Sequence, residues 1–228
     1  MLNLSTTGVL GASVATLLAV APSASAAVTY AGPFVGTTVT YTDVVESSGN
    51  PSEDPEPLYG VPSLVSGDLL DFDPTDAFIA DAPPTDTTDG ALSFTMTSNA
   101  GPLTTLIVSE SGTFSFLGAE NDELVSATLR VIVLDPLSDA VLTEQEVVFV
   151  EPFDTAPAEA GSWSNALTID LTSFGVSAVD VVIDNVLQAT GVGPAETFIT
   201  KTNFQINAPE PAVAALLGGL GLAMLRRR

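Results

Sequence analysis

The sequence contains no cysteine and no histidine, and its five Lys and Arg stand against 28 Asp and Glu. Without cysteine there is no disulfide framework, no thiolate nucleophile and no thiolate zinc site. Without histidine there is no Ser-His-Asp triad and no imidazole metal ligand. Basic residues are so scarce that only Arg130 and Lys201 fall between residues 27 and 208, against 27 acids, so that stretch carries 2 − 27 = −25. A surface this negative repels phosphate and makes DNA and RNA poor partners.

Long apolar runs are confined to the two ends. Near the N-terminus, Val9 to Val20 is apolar or small and is followed by Ala24-Ser25-Ala26. A dozen apolar residues fall short of the ~20 that a spanning helix needs. Followed by small-x-small, they match the helical h-region and cleavage site of a secretory signal peptide, although Met1 to Gly8 holds no Lys or Arg. Residues 1–26 are therefore read as a signal peptide, with Ala24 and Ala26 before the cut and Ala27 as the new terminus. At the other end, Pro209-Glu210-Pro211 precedes the uncharged run Ala212 to Leu225 and then Arg226, Arg227 and Arg228. The 14 residues of that run make a helix about 21 Å long at 1.5 Å per residue, less than the ~30 Å hydrocarbon core. The arginines extend its reach by snorkelling and hold that end on the cytoplasmic side.

This order of motif, apolar helix and basic tail over residues 209–228 resembles the PEP-CTERM sorting signal of bacterial exosortase substrates. The resemblance implies recognition through Pro209, Glu210 and Pro211 by a membrane-embedded exosortase, and export through the secretion machinery. It also implies membrane attachment only through the C-terminal tail, much as an apolar tail directs lipid anchoring and is then removed. It implies nothing about the body.

Residues 27–206 show no helical period. Short alternating runs recur between turn signals instead: 37–45, 60–72, 92–97, 104–110, 112–117, 125–134, 141–150, 167–171, 179–187 and 198–206. This predicts an all-β domain, a single antiparallel β-sandwich with a jelly roll among the windings open to it, flanked by the signal helix and the short C-terminal helix. In 125–134 both faces are partly apolar, which predicts a central strand covered on both sides. Ser47 to Pro57 and Asp81 to Gly90 read as loops, the second ending in the turn pair Asp89-Gly90.

Chemistry-bearing residues are sparse. Asp71, Asp73 and Asp76 lie in an acidic cluster with Asp68 and are the candidate calcium ligands, because calcium takes six to eight oxygens. Their spacing does not fit an EF-hand, and a solvated negative surface is the plainer reading. Glu144 and Glu146 share a strand face, and Glu120, Asp122 and Glu123 crowd a turn, but no hydrolase motif surrounds either set. Trp163, Tyr30, Tyr41 and Tyr59 are the Trp and Tyr that a sugar-stacking face would draw on, but Trp163, just ahead of the 167–171 strand, reads as a core or rim residue. Asp184-Asn185 inside an apolar strand marks a bulge or a buried hydrogen-bonded site, and Arg130 suits a structural ion pair.

The expectation is an exported cell-surface or extracellular-matrix protein with a non-enzymatic structural or interaction role, no catalytic residues and no cofactor other than calcium. A carbohydrate-binding module acting on extracellular polysaccharide is the alternative, and a carboxylate-pair glycoside hydrolase the next.

Overall fold

The computed structural model describes residues 27–50, 54, 56–82, 85–117, 123–153, 158–191 and 196–209. In chain order the strands are β1 (Val28–Thr29), β2 (Phe34–Val35), β3 (Val39–Ser48), β4 (Ser63–Ser66), β5 (Leu69–Phe72) and β6 (Ile79–Ala82). They continue with β7 (Thr85–Ser98), β8 (Thr105–Leu117), β9 (Leu124–Leu134), β10 (Val141–Pro152), β11 (Ala158–Asp170), β12 (Ala178–Thr190) and β13 (Glu196–Asn207). No helix among the described residues is long and apolar enough to cross a membrane. Both terminal helices expected from the sequence lie outside the described residues.

The strands form two antiparallel sheets packed as a sandwich. One runs β1-β3-β7-β12-β9-β10 with β2 beside β3; the other runs β11-β8-β13-β5-β4, with β6 also on β13. Each long strand alternates, sending one set of residues into the interior and the other outward. On β12, Val179, Val181, Ile183, Leu187 and Ala189 are buried; on β11, Trp163, Leu167 and Ile169. Rings meet edge-on in the middle, with Tyr59 and Phe204 centroids 4.9 Å apart and Tyr59 and Phe78 5.2 Å apart.

Three expectations change. Residues 81–82 and 85–90 of the expected loop are strand, the ends of β6 and β7, because β6 pairs with β13 and β7 pairs with β12 from Thr85↔Thr190 to Thr97↔Ala178. Threonine suits a pleated surface, and the neighbouring ladder outweighs the turn signal of Asp89-Gly90. Gly90 serves packing instead: a Cβ there would come within 3.1 Å of both Leu58 Cδ1 and Phe78 Cζ. Second, 104–110 and 112–117 are one strand, β8. Third, β9 is buried on one face only: Val125, Ala127, Leu129, Val131 and Val133 face inward, while Ile132 and Leu134 are half-buried. An antiparallel sheet of a sandwich leaves its other face to solvent, and only β10 lies beyond β9.

Gly112 lets β8 pass between β11 and β13. A Cβ there would sit 1.8 Å from the Thr200 carbonyl oxygen and 2.8 Å from Trp163 Nε1. The carbonyl belongs to backbone and cannot swing aside. Gly112→Ala is therefore expected to destabilise by about 1–3 kcal/mol or more, read as a lower urea midpoint with unchanged slope.

Candidate functional site

The acids singled out in the sequence scatter. Asp68 turns inward and accepts hydrogen bonds from the Thr38 amide (2.8 Å), the Thr38 hydroxyl (2.5 Å) and the Val39 amide (3.2 Å), fixing the entry to β3. Asp71 accepts from Gln205 Nε2 at 2.9 Å. Asp73 and Asp76 are exposed and line a depression shared with Thr75, Thr200 and Thr202. Among the described residues no three carboxylates form a group that could hold a metal ion. Glu144 holds Arg130 in an exposed ion pair at 2.7 Å, so the expected structural pairing of Arg130 is present. Glu146 stands opposite Arg130 in the β9–β10 ladder. Glu123 is buried and accepts from the Thr197 hydroxyl at 2.9 Å, while Glu120 and Asp122 lie outside the described residues.

Trp163, Tyr30, Tyr41 and Tyr59 are all buried, and they are the whole Trp and Tyr complement of the chain. The Trp163 indole donates to the Thr200 carbonyl at 3.0 Å and stacks on Phe149. None of them is a platform for a sugar ring. Ala27 and Pro209 are exposed; Ala24, Ala26, Glu210, Pro211 and Arg226 to Arg228 lie outside the described residues. Pro209 sits with Thr38 and Val39 at the start of β3, whereas Val28 pairs with Glu46 near its other end.

The concentrated chemistry lies between the sheets. Glu110 on β8, Asn165 on β11 and Lys201 on β13 point inward from one sheet; Asn185 on β12 points to meet them from the other. The Lys201 ammonium contacts Glu110 Oε2 at 2.7 Å with both side chains fully buried, and lies 2.5 Å from Asn185 Oδ1. Asn165 Nδ2 donates to Glu110 Oε1 and to the Ala127 carbonyl, each at 3.0 Å. Asn185 Nδ2 donates to the Thr128 carbonyl at 3.2 Å. The Tyr59 hydroxyl lies 2.9 Å from both Asn185 Oδ1 and the Gly90 carbonyl. The rings of Phe78, Tyr59 and Phe204 surround Lys201 Nζ at 4.0, 5.2 and 5.2 Å, with their negative faces offering a cation–π contribution. Burial pushes the Lys201 amine down to about 8, against the opposing pull of Glu110.

A second buried carboxylate holds Tyr59 in place. Glu46 accepts from the Leu58 and Tyr59 amides and from the Tyr30 hydroxyl. Burial raises the Glu46 carboxyl above its ordinary range, and raises the Tyr30 phenol with Glu46 adding to it. Tyr59→Phe removes the hydroxyl that bridges Gly90 and Asn185. The expected cost is about 1–3 kcal/mol, since partners once satisfied stay buried; chemical denaturation measures it.

Sequence reasoning noticed Asn185, which is buried and hydrogen-bonded and makes no bulge. It missed Glu110, Asn165 and Lys201 as a group. The available signal was phase: Glu110 continues the inward set of Leu106 and Val108, Asn165 that of Trp163 and Leu167, and Lys201 that of Thr197 and Ile199. Splitting β8 at Ser111 hid the first of these.

No family model matches the chain, and no curated protein matches it. Among solved structures it is similar to that of the infectious bursal disease virus Gt strain, at 12% identity and a TM-score of 0.36, over 79% of this chain and 51% of the viral one. It therefore spans about half the length of that viral chain. It is also similar to the structure of TmCBM61 in complex with β-1,4-galactotriose, at 12% identity and a TM-score of 0.26, over 75% of this chain and 87% of that one.

Proposed function

We propose that this chain is an exported protein of the cell surface or extracellular matrix, sorted through its C-terminal signal, whose β-sandwich has a structural, non-enzymatic role. The observation that carries this reading is the inward direction of its polar chemistry. Every Tyr and Trp is buried, and the Lys201–Glu110 pair is closed off between the sheets. The outward faces present acids that keep the body hydrated and repel other copies. The sugar-binding alternative needs an aromatic row on a sandwich face, and this chain's Trp and Tyr do not supply one. The strand orders β6-β13-β8-β11 and β7-β12-β9-β10 support a jelly-roll winding of the double-sheet kind. Ala27 and Pro209 are exposed where the two sorting segments join, which suits cleavage at either side without unfolding the body.

Fractionation followed by intact-mass measurement tests this. The expected species is recovered from envelope and medium, starts at Ala27 and has lost or altered residues after Pro209. Full-length polypeptide confined to the cytosol would overturn the export reading. Retention by galactan or by acidic polysaccharide in affinity electrophoresis would overturn the structural reading in favour of sugar binding.

A further inference from the structure

We propose that Lys201 and Asn185 join spontaneously through an isopeptide bond, giving the sandwich a covalent rivet between β13 and β12, strands of opposite sheets. The geometry is that of a nucleophile, an acyl carbon and a proton carrier held together, with the Lys201 and Glu110 side chains fully buried. Lys201 Nζ lies 2.5 Å from Asn185 Oδ1, one bond from the carbon it attacks. Glu110 Oε2 touches the same nitrogen at 2.7 Å and has no other hydrogen-bond partner among the described residues. Asn165 fixes the second Glu110 oxygen at 3.0 Å, so the carboxyl cannot rotate away. Holding reactants in this way replaces a bimolecular encounter with a unimolecular step.

The chemistry balances without oxidant or cofactor. Glu110 takes one proton from the Lys201 ammonium, leaving a neutral amine, which is the nucleophilic form of lysine in an apolar pocket. Its lone pair attacks Asn185 Cγ and the carbonyl electrons move to Oδ1, where the Tyr59 hydroxyl at 2.9 Å can stabilise the negative charge. Glu110 then relays a second Nζ proton to the carboxamide nitrogen. The old C–N bond breaks, ammonia leaves, and an amide remains between Nζ and Cγ. The depressed basicity of Lys201 favours the first transfer. The product also removes a standing cost, since a buried charged pair contributes little to stability for the desolvation it demands. In a chain with no cysteine, it supplies the cross-link that disulfides provide elsewhere.

The test is peptide mapping of the purified full-length protein. Cleavage after Glu196 separates Asn185 from Lys201 in an unlinked chain. The expected result is a branched peptide joining the two segments, lighter than their sum by one ammonia, with tryptic cleavage after Lys201 abolished. Two linear peptides of full mass would overturn the proposal. A linear Asn185 peptide lighter by one ammonia would also overturn it, because that is cyclisation of asparagine alone. Glu110→Gln retains a partner for Asn165 but cannot accept the proton, so its map is expected to show only linear peptides. A branched peptide in that variant would overturn the mechanism. The wild-type map decides the question even if the variant folds poorly, and neither outcome depends on where the protein is exported.

Discussion

Replacing Lys201 with methionine is expected to lower the unfolding free energy by at least about 3–5 kcal/mol, the usual cost of stranding one member of a buried charge pair. Methionine fills much of the lysine stem and keeps contact with Phe78, Tyr59 and Phe204, so volume loss is a minor part of the change. What is lost is the Nζ partner of Glu110, whose side chain is fully buried. Asn185 Oδ1 also loses its contact with Nζ. The reverse replacement, Glu110→Leu, strands the ammonium instead and should be similarly damaging. Urea titration monitored by the fluorescence of buried Trp163 measures both, as a midpoint shift at constant slope. A shift below about 1 kcal/mol for both variants would mean that the interior tolerates either charge alone, contrary to the cost of burying an unpaired ion.

Raising the pH above 10 is expected to unfold the protein steeply. Burial raises the Tyr41 phenol, with Asp68 adding to it, and raises the Tyr59 phenol, with Glu110 as the next cause. In the unfolded chain these phenols ionise at their ordinary value of 10.0, while in the folded protein they keep their protons. A folded value above the unfolded one gives stability that is whole below pH 10 and is lost as the pH climbs. The folded state then binds more protons, and the slope of stability against pH is negative. Each fully protected phenol contributes about 1.4 kcal/mol per pH unit, so Tyr41 and Tyr59 together give roughly 3. Tyr30 acts in the same direction. Melting temperature between pH 9 and 11 and absorbance of phenolate at the transition are the readouts. The two should change together; phenolate appearing before the fold is lost would show the hydroxyls to be accessible.

The sandwich was legible because inward positions recur every second residue in apolar sets such as Val125, Ala127, Leu129, Val131 and Val133, a pattern a helix cannot satisfy. The strands at 81–82 and 85–90 were not legible. The Asp, Thr and Pro content of that stretch resembles a loop, and its described residues join β6 and β7 through partners distant in sequence on β13 and β12. The interior site was hidden for a different reason. Glu110, Asn165, Asn185 and Lys201 lie on four strands, and composition alone suggests that so many charges belong to the surface. Each occupies an inward phase, and position along the strand outweighs residue type. Tyr59 could not be placed from sequence at all, because it enters from the connection between β3 and β4 and is held by Glu46.

The claim that the two sheets are held by a buried polar network is tested most directly by a double-mutant cycle with Lys201→Met, Glu110→Gln and the pair together. Because the two side chains satisfy one another, each single substitution should be costly and the double substitution little worse than either, giving a coupling energy above about 2 kcal/mol. Costs that add to within about 0.5 kcal/mol would contradict the account, since that is the behaviour of independent sites.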